Sequence, residues 1–119
     1  APRYLTHVLK LRGIAQASAN FYASGLFALR DKLGPLLWQL PPWFRFDPAL
    51  IEDFLAALPA DTAAAQTIAR RRDARMRGRT RLAIDAVRPM RHALEVRHAS
   101  FVDPRFIALL RRHRVALVV

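Results

Sequence analysis

The sequence predicts an α/β fold of parallel strands joined by helices. An apolar strand, an aromatic loop, an Asp-Pro dipeptide and an amphipathic helix follow one another twice along the chain, and a β-branched run closes the second occurrence. Of the 119 residues 53% are hydrophobic, enough for one packed domain. Strands that alternate with helices imply parallel pairing through crossover connections.

Residues 14–33 read as one amphipathic helix, with Tyr22, Leu26, Leu29 and Leu33 on a single stripe. Gly34 is the expected left-handed stop, and Pro35 bars continuation. The run Leu36-Leu37-Trp38-Gln39-Leu40 is too short for a helix and reads as a buried strand near 35–40, closed by Pro41 and Pro42. After Trp43, Phe44 and Phe46, Asp47 is placed to cap a helix whose first position suits Pro48. Leu50, Ile51, Phe54, Leu55 and Leu58 form its buried stripe, and Pro59 follows its end.

Residues 61–88 break the pattern. The alanine-rich part, 63–74, suits a helix, but the Arg-rich portion around Gly78 does not. The stretch reads as an insertion within a single domain spanning 1–119. His92-Ala93-Leu94-Glu95-Val96-Arg97-His98 then alternates as a second strand near 92–98, and Phe101 lies in the loop after it. Asp103-Pro104 opens another helix, with Phe106, Ile107 and Leu110 as its buried face. Arg111, Arg112 and His113 suit the negative end of its dipole. Residues 114–119 supply the third strand.

Two parallel architectures compete. A doubly wound nucleotide binder expects a glycine-rich turn, and the four glycines here form none. A TIM-barrel-type (β/α) fold instead displays polar residues at the carboxyl ends of its strands. A whole barrel takes about 200 to 250 residues. Three strands therefore predict a partial barrel, either a central fragment of a longer chain or a half-barrel that must pair. Exposed sheet edges would otherwise favour aggregation.

Arg3-Tyr4-Leu5-Thr6-His7, Lys32-Leu33-Gly34-Pro35-Leu36-Leu37-Trp38-Gln39-Leu40-Pro41-Pro42 and Ala93-Leu94-Glu95-Val96-Arg97-His98 resemble, in order and spacing, the signatures of the domain of unknown function 72 (YecE-like) family. The resemblance covers nearly the whole chain. It implies a TIM-barrel-like fold, a fragment lacking the opening strands, and an activity left open. It also implies that the Arg-rich stretch is a lineage-dependent elaboration.

Alternation puts Ala93, Glu95 and Arg97 on one face of the second strand, with Leu94 and Val96 on the other. The helix-packed face of a barrel strand is apolar, so Glu95 and Arg97 are expected to face the interior, Arg97 nearer the mouth. Gln39 separates from Trp38 and Leu40 in the same way. Such a trio suits a small polar or anionic ligand. Arg97 can grip a carboxylate or phosphate, Gln39 can orient it, and Glu95 can act as general acid or base. A structural Glu95–Arg97 ion pair is the competing reading.

His98 is the second candidate catalytic residue, reaching the mouth only if its strand bends; hydrogen bonding or capping is its alternative. Arg3 and His7, near the end of a preceding strand, are candidate ligand contacts. Glu95, His98 and His7 form an incomplete metal set, so no metal site is expected. His92 and His113 read as surface or helix-end residues, and the aromatic loop residues read as packing. No Ser/His/Asp arrangement, phosphate-cradling loop or EF-hand is present, and no cofactor or oligomeric state is specified.

The chain carries 20 Lys+Arg against 9 Asp+Glu, a net charge of +11. Nine arginines fall within residues 70–91, the footprint of a phosphate-backbone binder. No aromatic stacking residue lies among them, so a solvated insertion is the first reading and a nucleic-acid-binding module the alternative. The absence of cysteine excludes disulfides and thiol chemistry and fits a reducing compartment. With no membrane-length apolar run and no signal-like start, a cytoplasmic protein without a membrane partner is expected. The leading functional expectation is a soluble barrel protein, a hydrolase or isomerase, with its ligand at the carboxyl mouth.

Overall fold

A computed structural model of the chain describes residues 15–71 and 82–118. They divide into two compact units, one built on 36–58 and 92–118, the other on 15–35, 59–71 and 82–91.

The first unit holds the sheet. Strands β1 (Leu36–Gln39), β2 (His92–Glu95) and β3 (Ala116–Val118) pair in parallel in the order β1-β2-β3. The α/β class and its three parallel strands stand where the sequence puts them. Trp38 lies opposite Leu94, Gln39 opposite Glu95, and Glu95 opposite Val118. Alternation then sorts the side chains. Leu36, Trp38, Leu40, Leu94 and Val96 are all buried on one face, and Trp38 meets Phe54 edge-on at 5.3 Å between ring centroids.

His92 corrects the expectation of a surface histidine, for it is buried, and its Nδ1 accepts a hydrogen bond from Trp38 Nε1 at 3.1 Å. It shares the parity of Leu94 and Val96. With its ring nitrogen satisfied, parity outweighs polarity.

Helices α2 (Pro48–Ala56) and α4 (Pro104–His113) pack side by side in this unit. Asp47 caps α2 by accepting from Leu50 N at 3.2 Å, and Asp103 caps α4 by accepting from Arg105 N at 2.8 Å. Arg112 of α4 reaches Glu52 of α2 at 3.0 Å. Phe46, Phe101 and Phe106 cluster beneath them, with Phe101 and Phe106 4.8 Å apart. The buried face of α4 is Phe106, Leu109 and Leu110; Ile107, expected there, is exposed. One residue beyond Phe106 turns the side chain about 100° around the helix, to the edge of the stripe. The helix ends with Arg114 in the left-handed region at φ 56°, while Val115 N donates to Leu110 O at 3.0 Å.

In the second unit, residues 14–33 do not form one helix. The structure has α1 (Ala15–Ala23) and, over Leu26–Lys32, 3-10 turns kinked at Arg30, whose φ is 53°. The left-handed stop falls at Gly25, with φ 121°, and not at Gly34. Ser24 Oγ also donates to Phe21 O at 2.6 Å, closing the last turn of α1. The change of direction at Gly25 takes Leu29 off the expected stripe, leaving it exposed, and buries Phe27 instead.

Helix α3 (Thr62–Ala69) is capped by Asp61, which accepts from Ala64 N at 2.8 Å. It packs on α1, with Ala65 and Ala69 buried on one helix and Ala19, Tyr22 and Ala23 on the other. Burial pushes the Tyr22 phenol pKa well above its ordinary value. Part of the stretch read as an insertion returns to the start of α3. Thr62 N donates to Arg88 O, and Arg88 N to Thr62 Oγ1, both at 2.9 Å. Among the described residues no helix is long and apolar enough to cross a membrane.

Candidate functional site

Gln39 is the last residue of β1 and Glu95 the last of β2, so the register sets them side by side at the carboxyl ends of two parallel strands. Their parity is opposite to that of Trp38 and Leu94, which places them on the other face of the sheet. Gln39 Nε2 donates to Glu95 Oε2 at 3.3 Å. Arg97 Nη2 donates to the same oxygen at 3.2 Å, although β2 has already ended. The structure thus brings together the three residues that alternation assigned to one face.

A single carboxylate oxygen receives both donors. This fixes the Gln39 amide, because its carbonyl end would face the carboxylate as acceptor against acceptor. The Glu95 side chain is 15% exposed and that of Arg97 60%, so the ion pair stands at the rim and is open to water. Unit charges of opposite sign cancel, leaving the trio neutral overall.

Two grooves lie on this unit. One, of about 510 Å³, runs between α2 and α4 past Glu52, Arg105 and Arg112. The other, of about 730 Å³, is lined by Val96, Phe101, Ile107 and Leu117 and includes Arg97 from the trio and His98. Gln39 and Glu95 line neither.

His98 has a structural task. Its Nδ1 accepts from Ser100 N at 3.0 Å, capping the short 3-10 turn Ala99–Phe101. Ser100 Oγ lies 2.9 Å from the same nitrogen and accepts from Phe46 N at 2.7 Å, which ties the loop after β2 to the loop after β1. Among the described residues no hydrogen bond joins His98 to Glu95. Ser100 was not foreseen; the signal was a hydroxyl two residues after a histidine at a strand end, a spacing that suits local capping.

Arg3 and His7 lie outside the described residues, as do Arg72, Arg75, Arg77, Arg79 and Arg81. Of the remaining basic cluster, Arg70, Arg71 and Arg91 are exposed, and Arg88 pairs with Asp85, holding that carboxyl below its usual range. Among the described residues no group of three His, Cys, Asp or Glu side chains is placed to hold a metal.

A family model described as "Protein of unknown function DUF72" matches residues 1–119. No curated protein and no solved structure matches the chain.

Proposed function

The chain belongs to the DUF72 family, whose description assigns no activity, and from that premise we propose that it is part of a TIM-barrel-type domain that binds, or acts on, a small polar or anionic ligand at the carboxyl ends of its strands. One observation carries the reading: Gln39, Glu95 and Arg97 form a hydrogen-bonded row across the ends of β1 and β2, opposite the helix-side apolar face. An open doubly wound sheet covers both faces with helices and makes both apolar, whereas a barrel keeps polar groups for its mouth. Arg97 is the anion contact, Gln39 the orienting group and Glu95 the candidate acid–base residue. A chain without cysteine suits the cytoplasm.

Amide shifts of the ¹⁵N-labelled chain, followed during titration with inorganic phosphate, simple carboxylates and polyols, test this reading. The largest shifts are expected at residues 39–40 and 95–98. Shifts confined to α1 and α3, or none across the panel, contradict it.

A second reading rests on charge. Exposed Arg70, Arg71 and Arg91 flank the Arg-rich stretch of a chain of net charge +11, and such a surface suits a nucleic-acid backbone. It predicts affinity for a DNA or RNA oligonucleotide that falls steeply between 50 and 200 mM salt. No binding at low salt removes it.

A further inference from the structure

We infer that the ligand of this site is a polyol bearing one anionic group, a sugar acid or a sugar phosphate; the inference rests on the reading of the Gln39–Glu95–Arg97 row as the binding site. The argument is an inventory of hydrogen-bonding capacity. Arg97 spends one N–H on Glu95 Oε2 and is 60% exposed, so most of its fork is available to an anion. Gln39 spends one Nε2 N–H on the same oxygen, keeps the second N–H and turns Oε1 away as an acceptor. Glu95 Oε1 makes no hydrogen bond among the described residues. The row therefore presents a cationic donor fork beside two acceptor oxygens and one amide N–H, a set that hydroxyls, being donors and acceptors at once, can meet.

The complementary molecule has an acceptor anion and hydroxyl donors. An ammonium donor fits less well, because the Glu95 charge is already balanced by Arg97 and a second cation would meet Arg97 across a shared carboxylate. The charge of +11 on the whole chain favours anions further. Spacing sets the size. Gln39 Nε2 and Arg97 Nη2 both lie within 3.3 Å of Glu95 Oε2, so an anion seated on Arg97 and hydroxyls seated on Glu95 and Gln39 belong to one small molecule. Phosphate alone offers too few hydroxyls to the two acceptor oxygens, and a neutral polyol offers no anion to Arg97.

Calorimetric titration of the 119-residue chain with ribose 5-phosphate, ribonate, ribose and inorganic phosphate tests this. Ribose 5-phosphate or ribonate is expected to bind at least about tenfold tighter than ribose or phosphate, the phosphate and carboxylate arms distinguishing the two anion sources. Arg97→Ala should remove that advantage. Gln39→Ala, a surface change, should weaken the joined ligand about three- to tenfold and leave phosphate unchanged. Unchanged circular dichroism and unfolding midpoint in both variants show that the fold is intact. If phosphate binds as tightly as ribose 5-phosphate and both are lost in Arg97→Ala, the ligand class is wrong and the site stands. If binding persists through both substitutions, inference and site reading fall together. If none of the four probes binds, the inference is overturned, while the amide-shift panel still decides the site.

Discussion

Trp38 and Gln39 are neighbours in β1, and Leu94 and Glu95 in β2, yet each pair is divided between the two faces of the sheet. Trp38 and Leu94 are 1% and 0% exposed, and Trp38 packs against the Phe54 and His92 rings. Gln39 and Glu95 meet through one hydrogen bond, with an arginine at the rim. Packing accounts for the first face completely. It does not account for the second, since an exposed ion pair contributes only about 0 to 1 kcal/mol. The contrast separates residues whose place packing explains from residues whose place it does not.

The largest expected effect separates the faces outright. Trp38→Ala should lower stability by about 3 to 5 kcal/mol, by opening a cavity and leaving His92 Nδ1 without its donor. Gln39→Ala should cost within about 0.5 kcal/mol. Urea unfolding of the two variants measures both, and equal losses would erase the distinction between the faces.

Much of this contrast was legible in the sequence because strand parity is a strict period of two. The same rule that sent Leu94 and Val96 to the helix side sent Glu95 and Arg97 to the other, and it would have buried His92 had polarity not been given more weight. The Asp-Pro starts at Asp47 and Asp103 were equally plain, since cap and first-turn proline act locally. Residues 14–33 misled for a different reason. Apolar spacing alone did not register that Ser24-Gly25 ends α1, or that the turns after it are kinked again at Arg30. The capping role of His98 was open because it depends on Ser100 and Phe46, a contact spanning 54 residues of sequence.

The helix-side layer gives the next effects. Asp47→Ala should cost about 1 kcal/mol of stability through loss of the α2 cap, with ligand affinity untouched. Changed affinity without changed stability would place Asp47 in the site instead. Arg114 holds a left-handed conformation that glycine adopts without strain, so Arg114→Gly should raise stability by about 0.5 to 1 kcal/mol in the same unfolding assay.

The smallest effect concerns pH. Hydrogen bonds from the Arg105 side chain hold the Asp103 carboxyl below its ordinary value. A pKa lowered in the folded state stabilises the fold above the unfolded value of about 4 and loses that contribution as pH falls through the folded one. Stability measured across the acid range should fall less steeply in Asp103→Asn than in the parent chain. A parallel fall would mean that the pair is not maintained in solution.

The central claim, that the polar row at the strand ends serves a ligand and not the fold, meets its most direct test in Arg97→Ala. Its urea unfolding midpoint and its affinity for ribose 5-phosphate are measured on one preparation. Stability within about 1 kcal/mol of the parent, together with at least a tenfold loss of affinity, is the predicted result. A stability loss above about 2 kcal/mol with affinity retained would instead make Glu95–Arg97 a structural ion pair.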